Sequence, residues 1–143
     1  MKILAISDLH GRLPEIPTGH FDIFVVTGDN CPNWKWQSSD EWIAQKWWVI
    51  DYFVPWLKAI KADRKFVIQG NHDMMVEDSW EYCLHGVAEY AQDKTLRVEG
   101  EVIYSNGSSY NAFQLKNWGL GYPEREVHPY VDKIPNDCTV LLT

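Results

Sequence analysis

Three short apolar runs, each stopping on residues able to bind a cation, constrain this chain more than anything else in it. Ile3 to Ile6 is followed by Asp8 and His10, Ile23 to Val26 by Asp29, and Phe66 to Ile68 by Asn71, His72 and Asp73. Continuous apolar runs of this length are what strands show when a sheet is covered on both faces, so the chain reads as an α/β fold with largely parallel pairing. In open α/β sheets, ligands gather outside the carboxyl ends of the strands, where loops present side chains from a rigid base. All of these side chains would converge at that edge.

The rest of the chain supports this order. Ser38 with Glu41 is a capping-box signal, and Ile43, Trp47, Ile50, Val54, Leu57 and Ile60 recur at helical spacing, which predicts a long helix from roughly Ser39 to Lys61. Pro55 lies inside it and should kink or divide it. Trp48, Tyr52 and Trp56 line a neighbouring face, either as a wide apolar face in a small core or as a surface for another chain. Asp78 or Ser79 can cap a second helix through about Ala91. From Thr95 the pattern turns to short alternating segments, Leu96–Val98, Val102–Tyr104 and Tyr110–Leu115, broken by Glu99-Gly100 and Asn106-Gly107 turns. Trp118 to Pro135 reads as a long irregular loop, and Thr139 to Thr143 as one more buried strand. We expect one domain over residues 1–143.

Charge and cysteine usage narrow the function classes. A net charge of −7 with no Lys/Arg run argues against a basic nucleic-acid face. No stretch approaches the ~18 consecutive apolar residues of a membrane span. The 3 cysteines, Cys31, Cys83 and Cys138, are odd in number and show no Cys-x-x-Cys spacing, which speaks against a disulfide framework or a zinc knuckle and for a cytoplasmic setting.

Carboxylate, imidazole and amide oxygen form a mixed ligand set that suits Mn, Fe, Zn or Mg. Asp8 and Asp29 brought to one edge would repel each other without a cation. Asp8-Leu-His10, Gly28-Asp29 and Gly70-Asn71-His72-Asp73, in that order and each directly after an apolar strand, resemble the calcineurin-like metallophosphoesterase superfamily. The resemblance implies a four-layer α/β/β/α sandwich and two divalent metal ions that hydrolyse a phosphomonoester or phosphodiester by way of a metal-activated water. The substrate would be a small phosphoester or a nucleotide. By the same resemblance Asp8 and His10 would hold the first metal, Asp29 would bridge both, and Asn71 would hold the second and meet the substrate. His72 would act as general acid or phosphate contact, with Asp73 supporting its imidazole. Two cations ~3.5–4 Å apart can activate a water near neutral pH and clamp both phosphate oxygens, while a nearby His protonates the departing alkoxide. Arg12, directly after Gly11, is a candidate to neutralise substrate phosphate, or else a plain loop arginine.

The family pattern continues with a His after an apolar strand and then a Gly-His-x-His motif. Thr139 to Thr143 resembles that strand, and neither later motif occurs in the sequence. The expectation is therefore a C-terminally incomplete sandwich whose second metal site is short of ligands. The alternative is a metal-poor, partner-dependent relative acting as a binding module. His20 falls at the wrong end of the sheet and His85 in a helix, while His128 lies in a loop that could reach the strand ends. Trp34, Trp36, Trp48 and Trp56, with the last strand, suggest self-association or a complementing chain.

Overall fold

The three apolar runs are the first strands of a parallel sheet: β1 (Ile3–Ile6), β2 (Phe21–Thr27) and β3 (Ala62–Ile68), with the two-residue β4 (Glu89–Tyr90) beside β3. The computed structural model describes residues 1–33, 40–107, 109–110, 121–122, 129 and 131–143. Spatial order follows chain order, β1-β2-β3-β4, and every pairing is parallel. The register aligns Ile6 with Val26 and Thr27 with Ile68, so the three strands finish at one level.

Alternation along β2 and β3 assigns each side chain to a face, because successive residues of a strand point opposite ways. Phe24, Val26 and Val67 pack with the helices, whereas Ile23, Val25, Phe66 and Ile68 pack with a second sheet. That second sheet orders β5 (Lys94–Val98), β6 (Glu101–Ser105) and β9 (Val140–Leu142). β5 and β6 pair antiparallel around the Glu99-Gly100 turn, and β9 pairs parallel with β6. The short β7 (Ser109–Tyr110) and β8 (Gly121–Tyr122) form a separate parallel pair. Helices, parallel sheet and second sheet are thus stacked as an α/β/β arrangement among the described residues, in line with the expected α/β fold.

The long helix is built in three pieces. α1 (Glu41–Trp48) runs into a π-helical turn, Val49–Phe53, and continues as α2 (Val54–Ala59). Pro55 has no N–H to give and its ring crowds the carbonyl four residues back, so a turn widened by about one residue just ahead of it relieves both. The wider turn rotates the buried face of α1 by about one residue against a regular repeat. Gln45, Trp48 and Val49 point inward, and Ile43 and Trp47, expected in the core, are exposed at 39% and 60%. Trp48 is buried in the interior and Trp56 packs partly buried against it, while Tyr52 of the same stripe is exposed at 61%. Trp48 stacks on Phe53 at 5.6 Å and Phe53 on Trp56 at 5.7 Å, while Phe53 meets Trp80 edge-on at 6.4 Å. Trp34, Trp36 and the Ser38 cap lie outside the described residues, as do His128 and most of the Trp118–Pro135 loop.

The second helix is shorter than expected. α3 (Glu77–Leu84) starts after extended Val76, with Glu77 and Asp78 in its first turn where the helix dipole favours acidic groups. It stops at Leu84 because Gly86 takes a left-handed φ of +71°, which turns the chain into β4.

A candidate metal centre at the strand carboxyl ends

Beyond the last paired residues of β1 and β2 the chain keeps hydrogen bonding between its loops. His10 N–H donates to the Asp29 carbonyl at 2.8 Å, Gly11 N–H to the Asn30 carbonyl at 2.9 Å and Asp8 N–H to the Gly28 carbonyl at 3.1 Å. Asp8, His10 and Asp29 all hold left-handed backbone, with φ of +55°, +45° and +50°. Such conformations cost non-glycine residues about 1–3 kcal/mol each and concentrate where a surrounding framework over-determines a functional geometry.

That framework brings His10, Asp29 and His72 together, with one ligand atom from each within 4.8 Å of the others. Nε2 of His10 is 3.8 Å from Oδ2 of Asp29, and Nε2 of His72 is 3.9 Å from the same oxygen. The two imidazoles meet edge-to-face at 5.1 Å. Cation bonds to nitrogen and oxygen donors run ~2.0–2.2 Å, so two donors on one ion are at most about 4.4 Å apart, and both spacings fit. His10 Nδ1 is buried with no hydrogen-bond partner among the described residues. It is not the nitrogen that faces Asp29, which is Nε2. Two imidazoles and a carboxylate are a donor set that fits a divalent cation, and Asp29 Oδ2 lies within bonding span of a nitrogen of each ring.

Buried polar groups fix the loops that carry these donors. His72 N–H donates to Asp29 Oδ1 at 3.0 Å, so one carboxylate oxygen places the His72 backbone and the other faces the imidazoles. Asp73 is fully buried. Its Oδ2 accepts from Asn30 N–H at 3.1 Å, Asn30 Nδ2 at 2.8 Å and Gly70 N–H at 2.9 Å, and its Oδ1 accepts from Cys31 N–H at 2.8 Å. Burial pushes the Asp73 carboxyl above its ordinary range, and these donors pull the other way without cancelling it. Burial, then the negative Asp73 beside it, pushes the Cys31 thiol well up, so Cys31 is a protonated packing residue and not a thiolate ligand. From the other side, Gln45 of α1 bonds the His72 and Met74 backbone, while Gln69 donates to the Asp73 carbonyl at 2.6 Å and accepts from Tyr90 Oη at 2.8 Å.

Several expectations take a different form. Asp8, expected as a first-metal ligand, is exposed and lies outside the His10–Asp29–His72 group. The left-handed turn at Asp8 leaves its carboxylate beside Ser7, whose hydroxyl donates to Oδ2. His72, expected as an acid or phosphate contact, stands among the donors. Asp73, expected to support the His72 ring, instead ties the His72 turn to the Asn30–Cys31 turn through the main chain. Asn71 is half-buried in the same turn as His72, and Arg12 is exposed just past Gly11. His20 pairs with Asp63 at 2.9 Å ahead of β2, and His85 is exposed at the end of α3, so neither joins the site. Asn30, Gln45 and Gln69 were missed because amide residues in apolar surroundings carry no motif. Their one sequence signal is a polar residue on an otherwise apolar face.

Fold and site together describe an α/β protein with a His10–Asp29–His72 group able to hold a cation at the carboxyl ends of its parallel strands. The family model for calcineurin-like phosphoesterases matches residues 1–137, and the chain belongs to that family. The family's chemistry is metal-dependent phosphoester hydrolysis, which is the class of activity this membership indicates. A search of curated proteins finds no match to the chain. No helix among the described residues is long and apolar enough to cross a membrane.

Proposed function

We propose that this chain is a phosphoester hydrolase whose cation is held by His10, Asp29 and His72. The observation that carries the reading is the convergence of those side chains from three separate strand ends to within 4.8 Å. When bound, a divalent cation supplies Lewis-acid polarisation of phosphate oxygen and a water acidic enough to ionise near neutral pH. The chain's own residues hold and orient. Asp29 presents one oxygen to the imidazoles and keeps the other on the His72 backbone, so the acidic donor and the turn opposite it move as one unit. Asp8, two residues before His10, and Asn71, next to His72 in the chain, are the oxygen donors we assign to a second cation. Arg12, exposed two residues after His10 in the chain, is the group we assign to substrate phosphate. The substrate class is a small phosphoester or nucleotide.

One observation favours a second reading, a phosphate-binding module without turnover: Asp8 stands outside the donor group, which leaves it with a single carboxylate. Hydrolysis separates the two. With Mn added, wild type is expected to release p-nitrophenol from p-nitrophenyl phosphate or its bis ester, and Asp29→Ala and His72→Ala to lose at least about 100-fold, since each removes a cation donor. Equal background rates from all three proteins would refute catalysis and leave the binding module.

A further inference from the structure

Gln45 is the one fully buried polar residue of α1, flanked on its inward face by apolar Trp48 and Val49. Its amide is used at both ends. Nε2 donates to the His72 carbonyl at 2.9 Å, and Oε1 accepts from Met74 N–H at 2.6 Å. These two backbone groups flank Asp73, the residue pinned from the opposite side by the Asn30–Cys31 turn. The His72 main chain is thus taken at N–H by Asp29 and at C=O by Gln45. A buried amide costs free energy unless both its donor and its acceptor are matched, and an apolar side chain of similar size would fill the same space without that requirement. The matched geometry therefore does something packing does not: it selects one placement of the His72 turn. The widened turn ahead of Pro55 is what brings this face of α1 inward, so helix geometry and site geometry are joined at one residue.

We propose that Gln45 is a positioning residue for the cation site, setting where the His72 imidazole stands relative to Asp29. The proposal rests on the reading of His10, Asp29 and His72 as cation donors. It acts through the main chain and touches no reacting atom. Removing it frees the His72 turn to adopt other placements, most of which carry Nε2 away from the shared Asp29 oxygen. Outer groups that orient metal ligands are typically worth about 10–100-fold in metal affinity.

The test is titration of the metal-free protein with Co2+, following its visible absorption, on wild type, Gln45→Met, Gln45→Glu and Ile103→Ala, with thermal unfolding of each. Gln45→Met keeps volume and removes both bonds. Gln45→Glu keeps an acceptor for Met74 N–H and withdraws the donor from His72, and it carries the comparison if the Met variant does not fold. Ile103→Ala opens the second core, away from the site, and reports what general destabilisation does. Expected is a Co2+ affinity about tenfold or more weaker in Gln45→Met, a smaller loss in Gln45→Glu, and wild-type affinity in Ile103→Ala. Wild-type affinity in a folded Gln45 variant overturns the positioning role alone, as does an equal loss in Ile103→Ala. Absence of Co2+ binding by wild type overturns the donor assignment itself, and this inference with it.

Discussion

Gly70 shows how little room the site leaves. A Cβ built there would lie 2.2 Å from both the backbone nitrogen and Oδ1 of Asp29, so only glycine lets the β3 turn close over the β2 turn. Gly70→Ala must push Asp29 out of place. We expect urea unfolding to show a loss of about 1–3 kcal/mol, typical of forced overpacking, together with loss of Co2+ binding. An alanine variant with wild-type stability and affinity would contradict this geometry. At this scale the motifs named the donor types, because carboxylate and imidazole directly after an apolar run are visible in one dimension. They did not name the supports: Gln45 lies 27 residues before the carbonyl it holds, and Asn30 lies 43 before Asp73. Nor did they foresee that a left-handed Asp8 would face Ser7 or that Asp73 would serve the backbone, since both outcomes depend on φ angles and burial rather than residue type.

Among the elements, the strands were the most legible, since continuous runs of β-branched and aromatic residues have few other ways to be buried. The helices were read with the right existence and the wrong phase or end. Pro55 was recognised as a disturbance, but a widened turn and a kink look alike in sequence, and only the widened turn moves Gln45 inward and Trp47 outward. For α3, apolar Val87 and Ala88 extended the periodic pattern past its real end, while Gly86 at φ +71° ends it. A Cβ at Gly86 meets nothing within 4 Å, so the cost of replacing it is conformational alone. Gly86→Ala is expected to lower unfolding free energy by about 1–2 kcal/mol, the cost of a left-handed L-residue, and to leave Co2+ affinity unchanged. Unaltered stability would mean that α3 continues past Leu84.

For the whole molecule, the parallel sheet serves two cores at once. Phe24, Val26 and Val67 bind it to the helices, and Val25, Phe66 and Ile68 bind it to the second sheet. β2 and β3 are clamped on both faces, the partly buried edge strand β1 finishes at the same level, and the loops of Asp29 and His72 inherit that rigidity, which is what a cation site with strained backbone needs. The α/β class and the edge that carries the chemistry followed from pattern alone. The placement of donors within that edge followed from tertiary contacts that pattern does not encode. Anomalous scattering from Mn-soaked crystals tests the central claim most directly. The account expects a manganese peak bonded at about 2.0–2.3 Å by His10, Asp29 and His72. A saturated crystal with no peak there, or with manganese held only by other residues, would contradict it.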